Sequence, residues 1–298
     1  MVGDSPEFRT GLDALEAATA LLRRVRSAHP TKGLFETGDL QWRWRTSRST
    51  DGVPQLFWFD GAGRPEAAVV LTDWSGTIGL DPIVLPGADA EWVEHVVDQG
   101  LAHATALGIT SVELEVDRKD TTMRTVLAAR GFAITGDGLV ETWIEADARP
   151  AITPLHDGYR LRDRAAMEDH PHHMIGRSGP DVDARLRQAS LYRPDLDLVV
   201  LFEDDAAAAY GLFWFDPETK TGLVEPMRTE DAHQRYGLAR HVLTAGIDRL
   251  ARAGATRIKI CYEPSNPASG HLYRSAGFQP VSQTDLFSGP TIALVSHR

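Results

Sequence analysis

The chain contains 298 residues, of which 42% are hydrophobic, and its formal net charge at pH 7 is −11. This length and composition predict two domains, each with an ordinary packed core. The single cysteine, Cys261, excludes a disulfide framework and a cysteine-rich metal cluster. The negative charge opposes binding to phosphate backbones, so we expect no nucleic-acid partner and a weak preference for a cationic substrate.

Targeting and membrane signals do not occur in the sequence. It shows no basic segment followed by an apolar run at its start, and no run of about 18 apolar residues. With the lone cysteine, this pattern predicts a cytoplasmic protein with no membrane partner. The oligomeric state stays open.

Apolar and aromatic runs dominate the first half of the chain. Strand patterns occur at residues 55–59, 67–71 and 112–116. Aromatic residues alternate in apparent strands, which predicts packing in a core or between domains, with ligand binding as the alternative. These aromatic residues are Trp42, Trp44, Phe57, Trp58 and Phe59.

A linker is predicted near the middle of the chain. The segment Asp147-Ala-Arg-Pro-Ala-Ile-Thr-Pro154 holds two prolines between patterned segments, and proline stops the preceding residues from continuing a helix. We therefore expect one domain at residues 1–150 and a second at residues 151–298.

The two halves are related by a diverged repeat. Residues 108–132 align without a gap on residues 254–278, sharing two glycines, a threonine and a phenylalanine. At nearly the same offset, Asp81-Pro82 resembles Glu225-Pro226. Self-similarity of this kind predicts a tandem duplication of one domain.

The second half predicts strands interspersed with helices. Apolar runs alternate with segments whose apolar residues recur every three and four positions, which indicates an α/β (α+β) domain with a mixed sheet. The strands are predicted at residues 196–203, 206–215, 221–229 and 257–262, and the helices at residues 238–252 and 267–275.

A histidine cluster precedes these strands. His170-Pro-His172-His173 offers metal-type ligands, but neighbouring positions cannot all converge on one ion, and no second ligand set is evident. We predict no metal site and expect the cluster at a solvated helix end near the substrate entrance.

The segment Gln234-Arg-Tyr-Gly237-Leu-Ala239 lies between a predicted strand and a predicted helix. Glycine there lets the backbone approach a ligand, and the first N–H groups of the helix favour an anion. The arginines Arg228, Arg235 and Arg240 add positive charge. The segment predicts a pyrophosphate site; an ordinary helix start is the alternative.

This segment resembles the Q/R-x-x-G-x-G/A motif of the GNAT superfamily of N-acetyltransferases. The later segment Asn266-Pro-Ala-Ser-Gly-His-Leu272-Tyr273-Arg-Ser-Ala-Gly277-Phe278 resembles the family's N-x-x-A-x-x-L-Y-x-x-x-G-F, with Ser269 in place of alanine. The resemblance implies two tandem GNAT-like domains, each a twisted mixed sheet with a splayed central strand pair flanked by helices. It also implies acetyl-CoA as co-substrate.

The resemblance further implies which residues bind acetyl-CoA. Backbone groups on the strand before the loop would pair with the pantetheine amides, the loop N–H groups would hold the pyrophosphate, and Asn266 would contact pantetheine or serve only as a helix cap. The implied residues are Met227, Arg228, Thr229, Gln234, Arg235, Tyr236, Gly237, Leu238, Ala239, Arg240 and Asn266.

Two residues are candidates for proton transfer. Tyr273 matches the family's general acid, which would protonate the departing thiolate; the alternative is a core aromatic. Glu225 is the candidate base, with substrate anchor or a structural role at a Pro226 bulge as equal alternatives. The family carboxylate often lies two residues earlier, where this chain has Leu223. Strand alternation predicts that Glu225 shares a face with Met227 and Thr229.

The first copy departs from the motif. The 146-residue offset places Glu91 opposite Gly237, Asp120 opposite Asn266 and Leu127 opposite Tyr273, so phosphate would be repelled and the acid is missing. We expect a degenerate GNAT-like domain, an arrangement similar to that of mycothiol synthase.

The sequence thus predicts an enzyme that transfers an acetyl or other acyl group from acetyl-CoA directly to a small-molecule or peptide primary amine of unknown identity. Catalysis is assigned to the second domain. Cys261 is not expected to act as a nucleophile. The alternative function is a catalytically idle acyl-CoA-binding regulator.

Overall fold

The computed structural model describes residues 5–203 and 205–292. Its contacts divide the chain into two compact units. Unit 1 consists of Met1–Thr37, Ser47–Leu139 and Ser282–Arg298, and unit 2 consists of Gly38–Thr46 and Val140–Val281. The units therefore differ from the two consecutive halves that the linker led us to expect.

Helices and strands alternate along the chain. The helices are α1 (Gly11–Ala28), α2 (Thr37–Arg43), α3 (Ala90–Ala106), α4 (Thr121–Ala129), α5 (Ile175–Ser178), α6 (Val182–Gln188), α7 (Leu238–Ala253) and α8 (Pro267–Ser275). The strands are β1 (Glu7–Arg9), β2 (Gln55–Phe59), β3 (Pro65–Asp73), β4 (Ile78–Val84), β5 (Ser111–Asp117), β6 (Ala133–Glu145), β7 (Arg160–Asp163), β8 (Asp197–Leu201), β9 (Ala207–Asp216), β10 (Thr221–Thr229), β11 (Arg257–Tyr262) and β12 (Gln279–Pro290). Within the described ranges, no helix has the length and apolar character needed to span a bilayer.

The sheet of unit 1 contains β1, β2, β3, β4, β5 and the unit 1 part of β12, in that order. Neighbouring strands are antiparallel except β4 and β5, which are parallel. Its core packs α3 and α4 against one face through residues such as Trp58, Val96 and Leu127. Alternating apolar and polar residues in β5 fit this arrangement, because one face is buried.

The sheet of unit 2 contains β7, β8, β9, β10, β11 and the unit 2 part of β6. Only β10 and β11 are parallel. The strand next to β11 comes from the first half of the sequence, with Val140 opposite Tyr262. In unit 1 the strand next to β5 comes from the end of the chain, with Thr284 opposite Asp117. The two halves have therefore exchanged their last strands.

Both faces of the unit 2 sheet are covered. One face packs on α7 and α8 and includes Phe213. A side chain at Gly246 of α7 would lie 1.9 Å from Phe213 Cζ, so the helix approaches the sheet as closely as glycine allows. The opposite face packs on α2 and α6 through residues such as Trp42 and Trp214.

The elements expected in the second half are all present, but one expectation for the rest of the chain was wrong. Trp42 lies in α2 and Trp44 just after it, not in a strand. The segment of the predicted linker packs along α7. Arg149 Nε donates to Asp248 Oδ1 at 3.0 Å, and the Thr153 N–H donates to Thr244 Oγ1 at 3.1 Å.

Candidate active site

The central strands β10 and β11 separate partway along their length. Thr221, Gly222 and Leu223 pair with β11, whereas the rest of β10, to Thr229, pairs only with β9 in the described sheet. The expected splay of the central strand pair is therefore present. It leaves the β11 side of Met227, Arg228 and Thr229 without a strand partner among the described residues.

The loop after β10 ends at the start of α7. Gly237 is the N-cap and has φ 76°, the left-handed region that glycine adopts without strain. No described side chain caps this helix, so its first N–H groups remain available to a ligand. The space where a Gly237 side chain would lie is open, since no described atom approaches it within 4 Å. An uncapped, open helix start fits a pyrophosphate.

The residues of the loop around Gly237 differ in burial and in their contacts. Leu238 is buried and anchors the start of α7, whereas Arg235 and Tyr236 are exposed. Gln234 donates to Asp231 Oδ1 at 3.1 Å. The next residue along, Ala239, is half-buried.

Two arginines near the loop are already engaged. Arg240 hydrogen bonds to the hydroxyl and carbonyl oxygens of Ser275 on α8. Arg228 donates to the carboxylate of Glu230 at 3.3 and 3.4 Å. These hydrogen bonds fix the positions of both guanidinium groups.

Helix α8 carries Asn266 and Tyr273. Asn266 is the N-cap, and its side chain accepts from the Ser269 N–H at 3.2 Å. Tyr273 is 6% exposed, and its ring meets that of Tyr262 edge to face at a centroid distance of 6.1 Å. Burial raises the pKa of Tyr273 to about 12, and a hydrogen bond from Ser269 offsets part of that rise. The phenol therefore stays protonated at neutral pH and has a proton to donate.

Glu225 does not lie on the face that strand alternation predicted. A register shift between Val224 and Met227 places a bulge at Glu225 and Pro226. Met227 packs toward α7, whereas Glu225 hydrogen bonds to Asp39 of α2 on the opposite face. The extra residue of the bulge reverses the alternation, so the expectation was wrong.

The surroundings of Glu225 favour its protonated form. Burial, followed by the charge of Asp39 and its hydrogen bond, raises the pKa of Glu225 to about 8, although Arg43 and Arg45 oppose the shift. Trp214 Nε1 donates to the Glu225 carbonyl oxygen at 2.8 Å and fixes the backbone there. A carboxyl group whose pKa lies near neutrality is suited to accept a proton and release it again.

Asp39 was not among the expected site residues. No local pattern marks it, because only the fold places α2 beside β10 and brings Asp39 to Glu225. It belongs to the segment Gly38–Thr46 of unit 2.

Buried charged groups line the same face of the sheet. Lys259 of β11 forms a 2.5 Å ion pair with Glu141 of β6, and both side chains are at most 4% exposed. Next to them, burial raises the pKa of the Cys261 thiol well above its usual value. The thiol thus remains protonated at neutral pH, which argues against a nucleophilic role.

The histidine cluster is not a solvated helix end, so that expectation was wrong. His172 is buried; its Nε2 donates to Asp197 Oδ2 at 3.0 Å, and its Nδ1 accepts from the Met174 N–H at 3.2 Å. His173 and Asp197 bring further ligand atoms within 4.8 Å. Both ring nitrogens of His172 are engaged in these hydrogen bonds.

The first copy has different residues at the corresponding positions. Helix α3 begins after the N-cap Asp89, so Asp89 and not Glu91 corresponds to Gly237. Its carboxylate already accepts from the Trp92 N–H at 2.7 Å. Leu127 is fully buried at the position that corresponds to Tyr273. The helix starts therefore place a carboxylate opposite Gly237, but it belongs to Asp89 rather than Glu91.

Comparison with known proteins identifies relatives. Residues 158–278 match the model of the acetyltransferase (GNAT) family. The chain is 25% identical over 288 residues to a mycothiol acetyltransferase of Clavibacter michiganensis subsp. michiganensis (strain NCPPB 382), covering 87% of this chain and 92% of that protein. It is 29% identical over 119 residues to the uncharacterized N-acetyltransferase YsnE of Bacillus subtilis (strain 168), covering 38% of this chain and 76% of that protein.

Solved structures share the whole fold. A tandem GNAT protein from the clavulanic acid biosynthesis pathway superposes with a TM-score of 0.69 at 14% identity, covering 97% of this chain and 99% of that one. A GCN5-related N-acetyltransferase from Sphaerobacter thermophilus gives a TM-score of 0.60 at 15% identity and covers 99% of both chains. The tandem GNAT fold that the motifs implied is confirmed.

Proposed function

Because the chain is an acyltransferase of tandem GNAT fold, with a GNAT domain at residues 158–278, we propose that unit 2 transfers an acetyl group from acetyl-CoA directly to a primary amine. The observation that carries this proposal is the splayed strand pair with two ionisable side chains beside it. The charge of Glu225 on β10 reaches the Tyr273 phenol on α8 and contributes to the raised pKa of that phenol. We assign proton transfer to these two groups. An idle binding protein has no need of such a pair.

The strand gap and the loop supply the co-substrate site. We assign the free side of residues 227–229 to the pantetheine amides and the N–H groups of residues 234–240 to the pyrophosphate. Asn266 lies at the start of α8 as an N-cap, a role compatible with a contact to pantetheine. Acetyl-CoA supplies the activated acyl group when bound.

The chain's own groups then move two protons. Glu225 removes a proton from the ammonium form of the acceptor, which frees the nitrogen lone pair to attack the thioester carbonyl carbon. As the carbon–sulfur bond breaks, Tyr273 gives its proton to the departing thiolate. The acetyl group passes to nitrogen without a covalent enzyme intermediate, and the nitrogen loses its second proton to solvent as the amide forms. Solvent then removes the proton from Glu225 and returns one to Tyr273.

A screen of primary amines with acetyl-CoA tests this function, with release of the CoA thiol as readout. The screen should include alkylamines, amino sugars, amino acids and peptides, because no residue in the site selects among them on sequence grounds. Thiol release that depends on the amine supports transfer. Acetyl-CoA binding without turnover on any amine would instead support the regulator.

Gly237→Glu should weaken acetyl-CoA binding about 10- to 100-fold, because it adds a carboxylate in front of the phosphate-binding N–H groups. Isothermal calorimetry measures the change. Gly63→Glu is the matched control, since Gly63 has φ 73° and equally open space but lies in the β2–β3 turn. Equal affinity in both variants would remove the phosphate site from this loop.

One acetyl-CoA should bind per full-length chain. The first copy has Asp89 where the second has Gly237, and that carboxylate already occupies the helix start. Calorimetric stoichiometry checks the number. Two equivalent sites per chain would show that the first copy is functional.

A further inference from the structure

Aromatic rings cluster beside the loop that precedes α7. His156 and Tyr159 lie just before β7, Phe202 follows β8, and His233 and Tyr236 belong to the loop itself. The centroids of neighbouring rings lie between 4.9 and 6.0 Å apart. All of these residues belong to unit 2. The loop that starts α7 is therefore bordered by one network of contacting rings, called the aromatic cluster below.

The inner rings of the aromatic cluster are held in place. The Tyr159 hydroxyl hydrogen bonds to His233 Nδ1 at 3.0 Å, which joins the segment before β7 to the loop. Tyr159 and Phe202 also pack against the core on the α7 face of the sheet. A ligand that binds to this surface therefore meets a preformed site and orders few side chains when it binds.

The outer rings of the aromatic cluster are exposed. Tyr236 has 47% of its surface exposed, and His156 is exposed as well. The two rings meet edge to face at a centroid distance of 5.0 Å. His156 Nδ1 donates to the Asp157 carbonyl oxygen at 2.9 Å, which fixes the orientation of the ring. Exposed aromatic rings with fixed positions are suited to stack on a flat aromatic ligand.

The exposed rings lie next to the proposed pyrophosphate site. Tyr236 directly precedes Gly237, the N-cap of α7, where the space for a side chain is open. Within the described ranges the exposed guanidinium of Arg235 has no hydrogen bond or ion pair, in contrast to Arg228 and Arg240. A guanidinium in this state can bind a further phosphate group. The loop thus combines features that suit a nucleotide with more than one phosphate site.

We propose that the surface formed by His156 and Tyr236 binds the adenine ring of CoA and that Arg235 binds its 3′-phosphate. This inference rests on the proposed function and names the class of acyl donor, which is a nucleotide thioester rather than a phosphopantetheine thioester without the nucleotide. Only a ribose separates adenine from the pyrophosphate. A base bound beside Gly237 therefore leaves the pantetheine arm directed at the gap between β10 and β11.

Tyr236→Ala tests the stacking surface. The Kd for CoA should rise about 5- to 100-fold, because the ring that stacks on the base is lost. The Kd for adenosine 3′,5′-bisphosphate, which lacks pantetheine, should rise by a similar factor, whereas the Kd for 4′-phosphopantetheine should stay within about twofold. Isothermal calorimetry measures all three. Tyr236→Phe keeps the ring and should bind like the wild type, and Phe8→Ala removes a ring that is 57% exposed in unit 1 as the control.

Arg235→Ala tests the 3′-phosphate contact. At low salt the wild type should bind CoA about 3- to 30-fold more tightly than 3′-dephospho-CoA, and this preference should shrink as salt is added. The variant should bind both ligands equally. Arg162→Ala is the matched control, because Arg162 is an exposed arginine on β7 of the same unit and its loss changes the net charge equally. A preference that persists in Arg235→Ala would remove the 3′-phosphate from this residue.

These binding measurements separate the inference from the proposed function. If the wild type binds CoA but Tyr236→Ala loses no affinity for CoA or for adenosine 3′,5′-bisphosphate, the aromatic cluster does not bind the nucleotide, and transfer from acetyl-CoA is unaffected. If the wild type does not bind CoA, the proposed function and this inference both fail. A selective loss of nucleotide affinity in Tyr236→Ala, with no active amine in the screen, would uphold the nucleotide site and count against the transfer.

Discussion

Tyr273→Phe should lower kcat by about 10²- to 10⁴-fold, while the Kd for acetyl-CoA stays within about twofold. The change deletes one hydroxyl and keeps the ring, which packs against Tyr262 and Phe278. The lost step is protonation of the thiolate. Single-turnover measurement of thiol release reports that step directly.

Tyr262→Phe is the matched control, because it deletes a hydroxyl from the partner ring of the same aromatic pair. Its hydroxyl accepts from Arg274 at 2.8 Å and therefore serves packing rather than chemistry. We expect kcat within about threefold of the wild type for this variant. Similar losses in both variants would mean that Tyr273 acts through structure, and an unchanged single-turnover rate in Tyr273→Phe would remove the acid role.

Local sequence patterns predicted the elements of unit 2 well. The helical period of α7 and its closing Gly254 lie in one stretch of chain, and so does the Asn266 cap of α8. Such signals come from neighbouring residues, so a single sequence contains them. The loop at Gly237 was predictable for the same reason, since a strand, a glycine and a helix follow one another there.

Features that depend on distant pairing were not predictable. Strands β6 and β12 have ordinary strand patterns, and nothing local tells which half of the chain each one joins. The bulge at Glu225 changes which face the carboxyl occupies, because one extra residue reverses strand alternation. Asp39 and the Asp197 partner of His172 became visible only when the fold brought distant segments together.

The exchange of strands changes what a truncated protein would lack. A chain beginning at Thr153 would lose residues 140–145, which pair with β11, and the segment Gly38–Thr46, which covers Trp214. One edge of the sheet would be unpaired and part of the core exposed. Full-length protein is therefore the right material for every binding and kinetic test of unit 2.

Glu225→Gln should lower kcat/KM at pH 7.5 by about 10²- to 10⁴-fold, with activity recovering toward high pH. Glutamine keeps the size and hydrogen-bonding capacity of the side chain but accepts no proton at neutral pH. Above about pH 10 an alkylamine is increasingly present as its neutral form, so its nitrogen can attack without a general base. In the wild type, kcat/KM should rise with pH to a plateau above about pH 8, where Glu225 is ionised.

Measurements of thermal stability show whether Glu225→Gln loses activity because the base is missing or because the fold is damaged. The pKa of Glu225 rises from its ordinary value of 4.5 to about 8 in the folded chain, so folding favours the protonated form of this carboxyl group. The contribution of Glu225 to wild-type stability is therefore greatest below pH 4.5 and falls as pH rises toward 8, whereas Glu225→Gln escapes that fall. Thermal melts should show the variant gaining relative to wild type between pH 5 and pH 9, with Glu168→Gln at an exposed site showing no gain. If instead KM for the amine rises steeply while the pH profile of kcat stays unchanged, Glu225 anchors the acceptor and another group removes the proton.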